Sequence, residues 1–368
     1  MKCHHADVTQ ATATDASTET KRRPSDLRLL LLAAVLISLL SVPIVGLMFT
    51  PLAPGAGAAT PGIMIAGLSI LNLGIRRGLI LSAVAVVAIG TSPMGVLYPA
   101  LGVMILLVAG GLAGVAAFRG YASPVIQVAI FVGLTMIDPQ ALTAAQVSHG
   151  VKVSTGYLLT LIGINAISAA WAALCVIALR KKLPTIPRTP LSAEGSIVYG
   201  ASLGLLLGAV GAVALTWFPY TLSGWVILTI CVIARQMYPG ESVVRGLRRR
   251  AEHRAAGTLG GVIIAAGVAT VIHSANALVL LGLAFLVGAV GRLAAGAPYW
   301  QFVILLTPAM VFMSQSGTHI ERVGLVRLGC SLIGIVLAVG ALEFNRKFTF
   351  PWIARVRQAE DASAISAQ

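Results

Sequence analysis

The chain has 368 residues, of which 57% are hydrophobic and 10% charged, and its mean hydropathy is +0.91. These values exclude an ordinary soluble globular protein. The net charge of +14 would suit a nucleic-acid-binding protein, but the lysines and arginines do not cluster on a soluble domain, so we expect no nucleic-acid partner. The composition instead predicts an all-α polytopic membrane protein.

Apolar runs recur along the chain with short interruptions. Because a helix needs roughly 20 apolar residues to cross about 30 Å of hydrocarbon, these runs predict twelve transmembrane helices. The predicted spans are residues 27–49, 58–74, 78–92, 96–117, 122–137, 155–179, 197–217, 221–237, 255–272, 276–291, 298–314 and 324–343.

The positive charges alternate with these spans. All but three of the 26 lysines and arginines fall on the side of the N-terminus, and the exceptions are Lys152, Arg322 and Arg327. By the positive-inside rule this asymmetry predicts an even number of spans, with both termini in the cytoplasm. A bacterial inner membrane is the expected location.

A proline-rich interruption divides the spans into two sets of six. It gives a predicted organisation of five parts: a disordered cytoplasmic tail (1–26), a first six-helix repeat (27–180), a cytoplasmic linker (181–196), a second six-helix repeat (197–343) and a C-terminal cytoplasmic tail (344–368). The halves resemble each other, since "SPVIQVAIFVGLTMI" (123–137) aligns with "APYWQFVILLTPAMVF" (297–312). An even unit repeats in the same orientation, so we predict two parallel-oriented six-helix repeats.

One motif combines a charge with small residues. "RAAGTLGG" from Arg254 recurs as "RLGCSLIG" from Arg327, with the shared pattern R-x-x-x-[ST]-L-x-G. Positions i, i+4 and i+7 lie on one face of a helix. The arginine, the hydroxyl of Thr258 or Ser331, and the bare backbone of Gly261 or Gly334 would then form one stripe. Guanidinium and hydroxyl donors on such a stripe suit a carboxylate ligand.

The two arginines were expected to begin helices that run in opposite directions. The helix dipole would then add to each positive charge and favour a bound anion. Two structural alternatives stay open. Arg254 follows other arginines and is also interpretable as a cytoplasmic surface charge, and Arg327 is also interpretable as the ion-pair partner of Glu321. Close helix packing accounts for the glycines without any ligand.

Other polar residues near the spans give weaker signals. Asp138, Asn165, His273 and Asn276 are interpreted as helix-end or packing residues, and Glu343 as a partner of Arg254 or Arg292, or a residue of the headgroup region. The basic stretch "GESVVRGLRRRAEHR" is either an interfacial helix on anionic lipid or a solvated loop.

The second half resembles the fusaric acid resistance (FUSC) or aromatic acid exporter family, in its inner-membrane permease module. The resemblance rests on "SGWVILTICVIARQMYPGESVVRGLRRRAEHRAAGTLGG" (223–261), "PYWQFVILLTP" (298–308) and "ERVGLVRLGCSLIGIVLAV" (321–339). It implies export of aromatic or other organic carboxylic acids driven by the proton motive force, and plant malate channels are similar relatives. The substrate-binding residues that it implies are Trp225, Arg254, Thr258, Gly261, Thr307, Arg327, Ser331 and Gly334.

The leading functional hypothesis is therefore an exporter of small organic anions. A passive anion channel, formed by the two halves or by a homodimer, is the second, and a membrane scaffold is the third. The polar loops lack paired carboxylates, a metal cluster or a nucleophile with its base, so we predict no enzymatic activity, cofactor or metal. Membrane lipids are the other expected partners.

Overall fold

The computed structural model describes residues 26–183, 190–218, 223–234, 243–294, 297–313, 320–349, 351–352 and 355. The predicted N-terminal tail and most of the predicted C-terminal tail lie outside these residues. So do the side chains of Glu321 and Asn276.

The described residues form helices and no strand. The α-helices among them are Asp26–Leu40 (α1), Val42–Met48 (α2), Thr60–Leu73 (α3), Ile75–Thr91 (α4), Met94–Leu97 (α5), Pro99–Phe118 (α6), Ala122–Ile137 (α7), Ala144–His149 (α8), Thr155–Leu179 (α9), Ala193–Trp217 (α10), Gly224–Ile233 (α11), Val243–Ala269 (α12), Ala275–Ala294 (α13), Tyr299–Met313 (α14) and Ile320–Phe344 (α15). Local sequence explains several starts: Ser154 and Ser192 cap α9 and α10 through their side-chain oxygens.

Six helical segments are long and apolar enough to cross a membrane. They are Ala53–Leu73, Ile75–Leu97, Pro99–Phe118, Thr155–Leu179, Ala193–Trp217 and Val323–Thr349, and shorter apolar helices lie at Ala122–Ile137, Gly224–Ile233, Leu280–Arg292 and Tyr299–Phe312. The protein is therefore an all-helical, multi-pass membrane protein. The count of twelve spans stays a prediction.

Most predicted spans lie on helices, but several boundaries differ by three or more residues. The first span divides into α1 and α2, and α10 begins at Ala193, four residues before the predicted start. The largest difference is α12, which begins at Val243 rather than near residue 255. The stretch "VVRGLRRRAEHR" is rich in good helix formers and has no proline, so the helix extends through it. The basic segment is thus the first part of a long helix rather than a separate interfacial helix or a loop.

Helices α6 and α10 join the two halves of the chain through glycines. A methyl group on Gly114 would lie 2.6 Å from Cα of Gly200, and one on Gly110 would collide with the backbone of Gly204. Only hydrogen at these positions allows the helices to approach so closely. The predicted small-residue packing is confirmed here.

Asn165 ties α9 to α3 in the first half. Its side-chain oxygen accepts a hydrogen bond from the backbone N–H of Gly62 at 2.9 Å, and its side-chain nitrogen donates to the carbonyl of Leu161 at 2.9 Å. Because both ends are satisfied and the side chain is buried, Asn165 is a packing residue, as predicted.

Candidate anion-binding site

Arg254 and Arg327 are among the most buried large side chains of the protein. Their relative exposures are 1% and 2%. The alternative interpretation of Arg254 as a surface charge is therefore wrong, since neither water nor headgroups reach its guanidinium. Carrying two positive charges in such an interior costs several kcal/mol for each unless a counter-charge is present.

Neither arginine lies at a helix start, so that expectation is wrong. Arg254 is eleven residues beyond Val243, roughly 16 Å along α12, and Arg327 is seven beyond Ile320, roughly 10 Å along α15. The dipole effect of a helix end falls off within about one turn. Any attraction for an anion at this site therefore comes from the side chains themselves.

The two arginine helices run antiparallel and pack on each other. Val262 of α12 lies beside Gly324 of α15, where an added methyl group would meet its Cγ1 at 3.2 Å. Towards the other end, Leu247 and Ala251 share a buried cluster with Ala338. In this register Thr258 and Ser331 lie at the same height along the helix pair. Arg254 lies nearer to one end of the pair than these two residues, and Arg327 lies nearer to the other end.

Unpartnered polar atoms surround this crossing point. Nε and Nη2 of Arg254 and Nε and Nη1 of Arg327 are buried without a hydrogen-bond partner among the described residues. The same holds for the hydroxyls of four residues on the same four-helix group: Thr229 (α11), Thr258 (α12), Tyr299 (α14) and Ser331 (α15). Buried polar groups are normally paired, so this concentration makes the crossing point a candidate site for a polar ligand.

Sequence reasoning missed two members of this cluster. They are Tyr299 on α14 and Thr229 on α11, and neither belongs to the recurring arginine motif. A signal for Thr229 exists in the chain, since it occupies on α11 the place that Thr307 occupies on α14. Each lies against a motif glycine.

The motif glycines mark two close helix contacts, one between α12 and α14 and one between α15 and α11. A methyl group on Gly261 would lie 2.5 Å from Cβ of Thr307 on α14, and one on Gly334 would lie 2.8 Å from Cβ of Thr229 on α11. Gly261 and Gly334 thus set the helix spacing rather than admitting a ligand. The hydroxyl of Thr307 donates to the carbonyl of Val303 at 2.9 Å, so it is satisfied within its own helix.

Trp225 lies against Arg327. The guanidinium carbon is 4.1 Å from the centre of the ring, which is cation–π geometry. Arg254 and Tyr299 are also close enough to act on Arg327 electrostatically, with Arg254 repelling its charge. The structure therefore brings together five of the predicted residues, namely Trp225, Arg254, Thr258, Arg327 and Ser331.

Two glutamates near the site pair with other residues. Glu343 forms an ion pair with Arg346 at 2.8 Å, so its predicted pairing with Arg254 or Arg292 is wrong. Glu252 pairs with Arg248 at 3.1 Å on the surface. The predicted partner of Arg327, Glu321, lies outside the described side chains.

The first half lacks an equivalent charge. Gly156 on α9 stands where α15 has Arg327, and Lys152 one turn earlier is exposed. His273, near the end of α12, is exposed as well. Within the described residues, the buried guanidinium groups both belong to the second half.

These features define a multi-pass membrane protein with a buried cationic site between four helices of its second half. Residues 210–341 match a family model described as "Fusaric acid resistance protein-like". This part of the chain is similar to the fusaric acid resistance protein-like family, so the predicted resemblance of the second half is confirmed. No curated protein and no solved structure matches the chain.

Proposed function

We propose that the protein exports small organic anions, aromatic or other carboxylic acids, across a bacterial inner membrane. The family and the apolar helices support a membrane transporter. The charge pattern supports an orientation with both termini in the cytoplasm. In that orientation the interior-negative potential favours outward movement of an anion by about 2.3 kcal/mol per 100 mV and unit charge.

One observation carries the proposal: within the described residues, two buried guanidinium groups with unpaired N–H donors lie on the same helices as four buried hydroxyls that have no hydrogen-bond partner. A carboxylate would neutralise the charge and accept hydrogen bonds from both kinds of donor. The site residues that we propose for this contact are Arg254, Thr258, Arg327 and Ser331, joined by Thr229 and Tyr299. Trp225 offers an aromatic face to the same occupant.

We further propose the twelve-span arrangement as two parallel six-helix repeats. Equivalent helices pack in the same pairs in both halves. In the first half α3 packs with α9, α4 with α9, and α6 with α7; the corresponding pairs of the second half are α11 with α15, α12 with α15, and α13 with α14. A homodimer of this unit and contacts with membrane lipids belong to the same proposal. No part of it calls for enzymatic activity, a cofactor or a metal.

Transport into everted membrane vesicles tests this function. Labelled aromatic monocarboxylates and dicarboxylates are offered to vesicles that carry the wild type or Arg254→Gln. We expect saturable uptake of at least one acid, and a loss of about 30-fold or more in the variant, since truncating a buried charged partner costs about 2 to 5 kcal/mol.

The same vesicles separate the mechanisms. Uptake that an imposed pH gradient accelerates identifies a coupled exporter. Uptake that follows only the membrane potential identifies a channel. If none of the acids is moved, the transport function is rejected in favour of a scaffold.

A matched pair of serine variants tests the hydroxyl donors. Ser331 and Ser69 are both buried, and both have an unpartnered hydroxyl, but Ser69 lies on α3 in the first half. A hydrogen bond to a charged group contributes about 1.5 to 3 kcal/mol to binding. We therefore expect Ser331→Ala to raise the half-saturating concentration of the acid by roughly tenfold or more. Ser69→Ala should leave it unchanged, and equal effects of the two variants would contradict this role for Ser331.

A further inference from the structure

Asp138 is a carboxyl group placed where its charge is unfavourable. It is the residue directly after α7, and its backbone N–H donates to the carbonyl of Leu134 at 3.0 Å, which closes the last turn. A helix C-terminus carries partial negative charge that repels a carboxylate. Burial raises the pKa of Asp138 from 3.8 to about 6.

Among the described residues, no cationic side chain is shown to act on Asp138, and Lys152 at this end of the bundle is exposed. Tyr157, at the start of α9, interacts with Asp138 electrostatically, and its hydroxyl donates to the carbonyl of Gln140 at 3.0 Å. The helices α3, α5 and α6, which pack near α7, carry no titratable side chain, and α11 carries only the thiol of Cys231.

The remaining titratable groups of the neighbouring elements are more distant or exposed. Gly90, near the end of α4, packs on Ile162 of α9 close to Tyr157, so Arg76 and Arg77 at the start of α4 lie at the far end. Glu194 and Tyr199 begin α10, whose last turns reach Gly102 near α7, so they too are far away. The exposed groups of this end are Tyr98, His149 and Lys152.

A short chain of contacts leads from Asp138 to the arginine site. Leu134, which accepts the N–H of Asp138, lies against Gly224, where an added methyl group would be 3.3 Å from its Cα. Gly224 is the first residue of α11, and the next residue is Trp225. That ring covers the guanidinium of Arg327 at 4.1 Å. These contacts connect the end of α7 with the residue that covers Arg327.

We propose that Asp138 is the proton-binding residue that couples anion export to the proton gradient, acting through the contact of α7 with α11. The inference rests on the proposed export function. Its carboxylate takes a proton from the external side and becomes a neutral carboxyl, which removes the repulsion by the carbonyls that end α7. The position of the end of α7 against Gly224 then changes, and this change moves Trp225 relative to Arg327.

The test measures uptake into everted vesicles at fixed medium pH while the luminal pH, which corresponds to the external side, is varied from 4.5 to 8. Wild-type uptake should rise as the luminal pH falls through about 6, and should decline about tenfold per pH unit well above that midpoint. Asp138→Asn should lose this dependence, and Asp138→Glu should retain it with a displaced midpoint. The control Glu343→Gln, at an ion-paired carboxyl, should keep the wild-type profile.

Thermal unfolding of Asp138→Asn separates coupling from a structural role. Because the folded pKa is raised above its unfolded value, the charged form destabilises the fold, and stability falls as the pH rises from about 4 to 6. The variant should therefore melt above the wild type at pH 7.5, and the difference should shrink as the pH falls to 4.5. The inference is overturned if uptake by Asp138→Asn keeps the pH midpoint of the wild type. It is also overturned if the variant is inactive and its melting temperature is below that of the wild type. Absence of uptake by the wild type instead rejects the export function itself.

Discussion

Replacing Arg327 by methionine should abolish carboxylate transport and at the same time raise the thermal stability of the empty protein. The guanidinium is 2% exposed, and two of its nitrogens have no hydrogen-bond partner among the described residues, so burial of its charge is costly. Methionine has a similar length and keeps a contact with the ring of Trp225. Replacing buried ionic groups by apolar ones of similar volume often stabilises a protein, by about 1 to 4 kcal/mol.

The matched control is Arg292→Met. Arg292 lies in the last turn of α13 and is exposed, so the same change of charge should leave both transport and melting temperature nearly unaltered. Uptake into everted vesicles and thermal unfolding in detergent measure the two quantities. A lower melting temperature for Arg327→Met would show that the arginine holds the fold together, for example through Glu321, and the site assignment would fail.

Gly110→Ala should destabilise the protein strongly, and its neighbour offers the control. The added methyl group would collide with the backbone of Gly204 and lie 2.9 Å from the carbonyl carbon of Leu203. Backbone atoms cannot rotate away, so α6 and α10 must separate along their length. Overpacking of this kind costs about 1 to 3 kcal/mol, and here it acts on the interface between the two halves.

Gly111→Ala introduces the same methyl group one residue further along α6. That group would meet nothing within 4 Å, and alanine is the better helix former by about 1 kcal/mol. The melting temperature of Gly111→Ala should equal or exceed that of the wild type, whereas that of Gly110→Ala should drop by several degrees. Comparable melting temperatures for the two variants would show that the α6–α10 contact is looser than described.

The positions of the helices were largely predictable, because long apolar runs leave a chain few alternatives in a membrane. The spans 122–137 and 155–179 coincide with α7 and α9. The start of α12 was not predictable from hydropathy, since its first residues are charged although they are helical. Helix propensity, which ignores polarity, was the better guide at this boundary.

The candidate site was predictable only in part. The recurring motif identified the two arginines and the hydroxyl residue four positions after each from spacing alone, because residues four apart share a helix face. Thr229 and Tyr299 join them from α11 and α14, and contacts between helices that are distant in sequence carry no local signal. The pair of Glu343 with Arg346 is different, because the two residues are three apart and this spacing is visible in the sequence.

The crosswise packing of α11 with α15 and of α14 with α12 relates the two motif copies by inversion. Gly334 approaches Val226 and Thr229, as Gly261 approaches Ile304 and Thr307, so Trp225 corresponds in position to Val303. One arginine therefore has an indole against it, whereas the other copy has only an isopropyl group at that place. The two copies of the motif therefore present chemically different surfaces, an aromatic ring at one and an aliphatic group at the other, although their helices pack alike.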